Sequence, residues 1–259
     1  MSIQGKSLHV LTPMYGGVCT GTYHESMVQL VGMLLKYNIP FLQTYTYNES
    51  LINRARNRLC DVYLKESELT HCVHIDADIG FHAEDVLGML EADKDIIGAP
   101  CVKKNIKWDR VQSVVKRSNG HLYTPQELLK VSGDFVVTWE RGGKREIKLD
   151  ELQAVSRLGT GLLMIRRNVL TTYQEKYPDR WYESRGDPAA LPGPIHEFFR
   201  SGINPDTHEY ESEDYCFCND CKLLGFRVWL VPWMRTTHTG THTYVGDMPV
   251  VAMLAGEIK

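Results

Sequence analysis

Over its first hundred residues the chain alternates short apolar runs with amphipathic stretches, and that rhythm limits the folds open to it. Leu8-His9-Val10-Leu11 reads as a first strand that stops at Thr12-Pro13. A loop with Gly16, Gly17 and Gly21 follows. Met27 to Tyr37 puts Val28, Val31, Leu34 and Leu35 at helical spacing, with Asn38 and Pro40 as the stop. Phe41 to Tyr47 is aromatic and β-branched and predicts a second strand. Leu51 to Lys65 predicts a helix with Leu51, Ile52, Ala55, Leu59, Val62 and Tyr63 on its apolar side. His71 to Ile75 is a third strand, Val86 to Leu90 part of another helix, and Ile96-Ile97-Gly98-Ala99 a short strand. Strands alternating with helices predict βαβ units and a mainly parallel sheet.

Beyond residue 100 the rhythm changes. Ser118-Asn119-Gly120 and Arg141-Gly142-Gly143 are turn signals between short strand-like pieces. Leu162 to Ile165 is a further strand, Ser212 to Leu224 a helix closed by Gly225, and Phe226 to Val231 a final strand. Pro178 to Pro205 is rich in Pro, Gly and aromatics and predicts a long ordered loop. A length of 259 residues suits one large α/β domain. A net charge of -3 excludes a chain whose whole surface is a nucleic-acid clamp. Met1 to Ser7 is polar and no apolar run reaches the roughly 18 residues of a membrane span. With seven cysteines, an odd number and mostly scattered, the expectation is a cytoplasmic protein with reduced thiols and no membrane partner.

Three segments carry candidate chemistry. His74-Ile75-Asp76-Ala77-Asp78 sets two carboxylates just past an apolar strand. In an open α/β sheet, ligands bind at the carboxyl ends of strands. Carboxylates there suit a hard divalent cation, Mn²⁺ or Mg²⁺, which bridges to substrate phosphates. Glu211-Ser212-Glu213-Asp214-Tyr215 places Ser212 as an N-cap and two acids in the first helical turn, where the helix dipole favours their ionised form. Thr237-His238-Thr239-Gly240-Thr241-His242 offers imidazole ligands beside a glycine.

The order of these segments resembles the metal-dependent nucleotide-sugar glycosyltransferases of the GT-A (Rossmann-like) fold, and more narrowly the small family-two-like enzymes of bacteriophages and large DNA viruses. The likeness covers nearly the whole chain. Leu11-Thr12-Pro13, with Tyr15, matches the first strand and donor loop. Ala55-Arg56-Asn57 matches the helix that lines the nucleotide. Lys103-Lys104-Asn105-Ile106-Lys107-Trp108 resembles a basic-aromatic segment after the next strand. Gly159-Thr160-Gly161-Leu162-Leu163-Met164-Ile165 resembles the glycine turn and strand between donor and acceptor. The resemblance implies one GT-A domain over 1–259, with a nucleotide-sugar half over about 1–100 and an acceptor half over about 101–259.

The same resemblance implies the roles. Thr12, Pro13, Tyr15, Arg56, Asn57, Asp76, Ala77, Lys103 and Gly161 bind the donor, a UDP-sugar before other nucleotide sugars. Asp78 and His238 hold the cation, with His242 the alternative ligand; Asp76 holds ribose or metal. Asp214 is the general base, with Glu213 the alternative. A base in that place implies inversion. Retaining relatives with a C-terminal His continue into a Lys-Pro-Trp-like segment, whereas this chain continues Thr241-His242-Thr243-Tyr244. The acceptor expected is a glycan or a hydroxymethylated pyrimidine in viral DNA.

Two other readings stand beside this one. A nucleotidyltransferase acting on a sugar phosphate also combines an α/β sheet with acidic metal ligands. A non-catalytic nucleic-acid-binding module would use Lys103, Lys104, Lys107, Arg110, Lys116, Arg117 and Trp108, together with a zinc site on Cys216, Cys218, Cys221 and His208. The DNA reading would add Arg141, Lys144, Arg145 and Lys148. The three cysteines sit in a helical pattern and more simply replace small apolar core residues.

Overall fold

The structure, a computed structural model, describes residues 3–140, 148–184, 191–242 and 248–255. In chain order the elements are β1 (Leu8–Met14), α1 (Gly21–Lys36), β2 (Phe41–Tyr47), α2 (Ile52–Glu66), β3 (His71–Ile75), α3 (Ala83–Ala92), β4 (Ile96–Gly98), α4 (Trp108–Lys116), α5 (Pro125–Ser132), β5 (Val137–Trp139), β6 (Gln153–Leu158), β7 (Leu162–Arg166), α6 (Arg167–Lys176), α7 (Glu213–Leu223), β8 (Val228–Leu230) and α8 (Met248–Ala255). Eight strands form one sheet in the order β2-β1-β3-β7-β4-β8-β6-β5. Strands β2, β1, β3, β4, β8 and β5 point one way, and β7 and β6 run against them. The sheet is therefore mainly parallel in direction, though β7 gives β3 and β4 antiparallel neighbours.

The two-residue period of the strands divides the core into two layers. Leu8, Val10, Val73, Ile75, Leu162 and Met164 pack with α1 and α3 on one face. Leu11, Cys72, Leu163 and Ile165 pack with α2, α6 and α7 on the other. Burial on both faces explains why these strands read as continuous apolar runs. Gly98 shows how closely they pack: a Cβ there would lie 2.9 Å from the Leu162 carbonyl oxygen and 2.9 Å from Leu163 Cδ1. Gly98→Ala is expected to cost about 1–3 kcal/mol through overpacking. Gly88→Ala, in open space on α3, is expected to gain up to about 1 kcal/mol. Urea denaturation of the two variants checks the contrast.

Several sequence expectations need correction. Helix α1 begins at Gly21, more than a turn before Met27, because Thr20 caps it by accepting the Tyr23 amide. Gly21 therefore opens a helix and does not belong to the preceding loop. The buried side of α1 is Tyr23, Ser26, Met27, Leu30 and Leu34, while Val28 and Leu35 are exposed. Leu51 and Ile52, expected on the apolar side of α2, are also exposed. Their places on the inner face go to Arg56, Asn57 and Asp61. Of the strand-like pieces expected over about 103–157, Val137–Trp139 and Gln153–Leu158 are strands, whereas the earlier part forms two helices, Trp108–Lys116 and Pro125–Ser132. Thr124 and Glu127 close a capping box on α5, with Pro125 at its first position. Asn119 and Gly120, both at positive φ, turn the chain between α4 and α5. The Arg141-Gly142-Gly143 turn lies outside the described residues.

The described part of 178–205 is anchored. Phe198 and Phe199 are fully buried against Tyr173 and Phe217. Trp181–Tyr182 pairs with Ile195–His196, and Gly202–Ile203 with Tyr210–Glu211. Among the described residues no helix is long and apolar enough to cross a membrane.

Candidate functional site

The carboxyl edge of the sheet gathers the segments singled out in the sequence. Strand β3 ends at Ile75 and delivers Asp76, Ala77 and Asp78. The amide of Asp76 donates to the Gly161 carbonyl at 2.9 Å, which ties the acidic turn to the start of β7. Residues Ile79–Gly80 then pair antiparallel with Thr237–His238. The Thr239 amide donates to the Asp78 carbonyl at 2.9 Å. Gly80 allows this approach, since a Cβ there would lie 2.5 Å from Thr237 Oγ1. Two segments some 160 residues apart are thus brought into one turn.

Asp78 and His238 face each other. Nε2 of His238 lies 3.3 Å from Asp78 Oδ1. Its Nδ1 lies 2.7 Å from the Val102 carbonyl, which can only accept, so Nδ1 carries a proton; Nε2 is turned to the carboxylate and donates to it when the ring is protonated. A carbonyl behind an imidazole is the usual support for a metal-ligating histidine. Lys104 Nζ donates to the other oxygen, Asp78 Oδ2. Burial works against ionising Asp78, but hydrogen bonds from His238 and Lys104 outweigh it and bring its pKa down to about 2. The same contact with Asp78 raises the pKa of His238.

Asp76 belongs to a different set of contacts. Arg56, on α2, donates from Nη2 to Asp76 Oδ1 at 3.0 Å and Oδ2 at 3.3 Å. Its Nε reaches Glu213 Oε1 at 3.3 Å. One buried guanidinium therefore links the strand end to the first turn of α7. Arg56 Nη1 is buried with no hydrogen-bond partner. Asp76 and Glu213 are both paired with Arg56.

Asp214 remains. Its Oδ1 accepts from the Ser212 hydroxyl and, at 2.8 Å, from the Tyr215 amide. Its Oδ2 lies beside Gly159, 3.6 Å from where a Cβ would stand. Burial raises its pKa above the usual carboxylate range, outweighing the Ser212 hydrogen bond, and the neighbouring Glu213 charge adds to the rise. The turn 159–161 thus touches Asp214 at one end and Asp76 at the other.

The other candidate residues lie in separate surroundings. Thr12 is buried, with its hydroxyl 2.8 Å from Tyr23 Oη, while Tyr15 is exposed and Pro13 half-buried. The Ala77 carbonyl accepts the Thr20 amide at 2.9 Å at the start of α1. Asn57 is buried and its Oδ1 accepts the Phe199 amide at 2.7 Å, so its side chain fixes the 198–199 segment. Gly161 faces Cys101 Sγ, 3.0 Å from a would-be Cβ. Lys103 pairs with Asp134 at 3.1 Å, and Lys107 and Arg110 approach the same carboxylate at 3.7 Å. Asp134 thus offsets one of these three positive charges. Arg141, Lys144 and Arg145 lie outside the described residues.

Cys218 and Cys221 sit in the second core layer. Cys216 and Cys218 place their sulfurs 3.8 Å from the carbonyls of Glu211 and Leu158. His208 is exposed, as is His242. Among the described residues no three His, Cys, Asp or Glu side chains converge as a metal cluster. Cys218 and Cys221 are thus core residues, and His208 is exposed. The Asp76, Asp78 and His238 set is likewise divided, with Asp76 turned to Arg56 and only Asp78 and His238 facing each other. Lys104 on Asp78 and Arg56 between two acids are the features sequence reading missed. A buried arginine next to Asn57 on the inner face of α2 was the available signal.

No protein-family model matches the chain. No curated protein matches it in sequence. Among solved structures, A197 from STIV is 14% identical with a TM-score of 0.46, over 91% of this chain and 86% of its own. A glycosyltransferase involved in the glycosylation of the major capsid of PBCV-1 is 7% identical with a TM-score of 0.34, over 72% and 71%. GalNAc-T7, solved with UDP, GalNAc and Mn²⁺, is 11% identical with a TM-score of 0.40, over 90% of this chain and 44% of its own. The α/β class rests on the chain's own sheet of eight strands with helices on both faces. At TM-scores below 0.5 these likenesses carry no weight for the chemistry, which rests on the side chains.

Proposed function

We propose that the chain is a metal-dependent glycosyltransferase that moves a sugar from a nucleotide sugar, a UDP-sugar first, to an acceptor hydroxyl with inversion. One observation carries this reading. Two carboxylates at one sheet edge are driven in opposite directions, Asp78 down to about 2 and Asp214 upward. Groups whose environments push their pKa values apart mark the division of labour in acid–base sites. A carboxylate held ionised beside an imidazole suits a cation, and one raised toward neutrality suits a general base.

The residues fit Mn²⁺ or Mg²⁺. Such ions take one or two protein ligands and fill the remaining positions with substrate phosphate oxygens and water. Asp78 and Nε2 of His238 would hold it, with the Val102 carbonyl fixing the ring. When bound, the cation supplies charge neutralisation for the departing diphosphate. Arg56 keeps Asp76 and Glu213 in place between that site and α7. Asp214 Oδ2, beside Gly159, takes the proton of the acceptor hydroxyl as it attacks the anomeric carbon. A glycan is the acceptor proposed first; Asp134 offsets one of the three charges of Lys103, Lys107 and Arg110, so hydroxymethylated DNA stays the alternative.

The test is a panel of nucleotide sugars with Mn²⁺, scored by thermal shift and by hydrolysis. Release of a nucleoside diphosphate supports the reading; release of pyrophosphate from a sugar phosphate and a nucleoside triphosphate points to a nucleotidyltransferase. Asp78→Ala is expected to lower the Mn²⁺-dependent rate by about 10² or more. Turnover with unchanged metal dependence in that variant refutes the assignment of Asp78.

A further inference from the structure

The sequence puts Lys104 in a basic run that does not reveal which lysine matters. In the fold its ammonium sits on Asp78 Oδ2, while His238 Nε2 sits 3.3 Å from Oδ1. Both oxygens of the carboxylate are therefore occupied by groups of the chain itself. The lysine stem also has a seat. A Cβ on Gly240 would lie 2.8 Å from Lys104 Cδ, 3.3 Å from Cε and 3.4 Å from Cγ. A side chain at 240 would press on the lysine stem and push it from its present place. The backbone on either side is fixed. Val102 accepts from His238, the Lys103 amide donates to the Asp134 carbonyl at 2.7 Å, and the Thr239 amide donates to Asp78.

We propose that Lys104 is a resident cation that competes with the divalent metal for Asp78, and that Gly240 is its seat. The proposal rests on the reading of Asp78 and His238 as metal ligands. Like charges cannot share one carboxylate oxygen without strong repulsion. Lys104 must leave Oδ2 before a metal settles there, and its flexible four-carbon stem allows that movement. The consequence is weak metal binding by the protein alone. Metal affinity is held down by the fraction of molecules in which Lys104 covers the site.

The experiment uses the full chain and Mn²⁺ alone, with free Mn²⁺ followed by its electron paramagnetic resonance signal. Lys104→Met is expected to bind Mn²⁺ about tenfold more tightly than the unaltered protein. Gly240→Ala, which fills the seat, is expected to give a similar gain. In the double variant Gly240→Ala adds nothing further, because the two changes remove one interaction. Lys176→Met removes the same charge from the end of α6 and leaves Mn²⁺ affinity unchanged. Lys104→Gln guards against an effect of the methionine side chain, and melting temperatures confirm that each variant is folded. Equal Mn²⁺ affinity in the unaltered protein and Lys104→Met overturns the proposal while the metal reading stands. If neither binds Mn²⁺, the metal reading falls and this proposal falls with it.

Discussion

Asp214→Asn is expected to lower kcat by about 10²–10⁴, which is roughly 3–5 kcal/mol of barrier, with little change in donor binding. The amide keeps the shape of the side chain and can still accept from the Ser212 hydroxyl and the Tyr215 amide through its oxygen. It cannot take a proton. The sign of the pH dependence follows from the raised pKa of Asp214. The base works when ionised, so kcat/KM falls as the pH drops through that value, which lies above the usual carboxylate range. Asp214→Asn removes this acidic limb along with the activity. Glu213→Gln separates the two acids. Glu213 is bound to Arg56, so its loss disturbs positioning and leaves the acidic limb in place. A pH–rate profile of both variants decides between them; an acidic limb that persists in Asp214→Asn rules out Asp214 as the base.

Asp220→Ala is expected to destabilise the fold by about 3 kcal/mol, read as a fall in the urea midpoint with an unchanged m-value. Asp220 is buried on α7 and accepts from Arg180 at 2.7 Å, from Arg200 at 2.9 and 3.0 Å, and from Tyr173 Oη at 2.9 Å. These contacts tie α7 to α6 and to the segment 178–205. The two arginines are about one-third exposed and regain water when the carboxylate goes, so the cost stays near the lower end for a broken buried pair. Asp220→Asn keeps acceptor capacity and should cost less. Because α7 carries Asp214, a loosened α7 should also lower activity in the stable fraction. A midpoint shift under about 0.5 kcal/mol, the size of an ordinary surface change, would show that the network is dispensable.

The strands and most of the helices were legible because their signal is local. A run such as Ile96-Ile97-Gly98, buried on both faces, has one plausible place in an α/β sheet. Helix α1 was misplaced because Tyr23 and Ser26 face inward there, one with a hydroxyl on Thr12 and the other on the Phe81 backbone. Hydropathy counts neither as an inner-face residue. The helices α4 and α5 were missed although each has an amphipathic period, because both are short and the turn residues between them dominated the reading. At the site, the acidic turn, the acidic helix start and the His-x-Gly segment were visible as residue types in order. Their division of roles was not.

The sequence by itself determined the alternation of strands and helices and the presence of acids at strand and helix ends. Short-range patterning of apolar residues and caps is sufficient for these. Only the tertiary structure decided that Asp78 meets His238 and Lys104, that Asp76 and Glu213 share Arg56, and that Asp214 keeps one oxygen beside Gly159. Each pairing joins residues about 20 to 160 positions apart. What a carboxylate does depends on which charges and how much water surround it, and those are set by the packing of distant segments at one sheet edge.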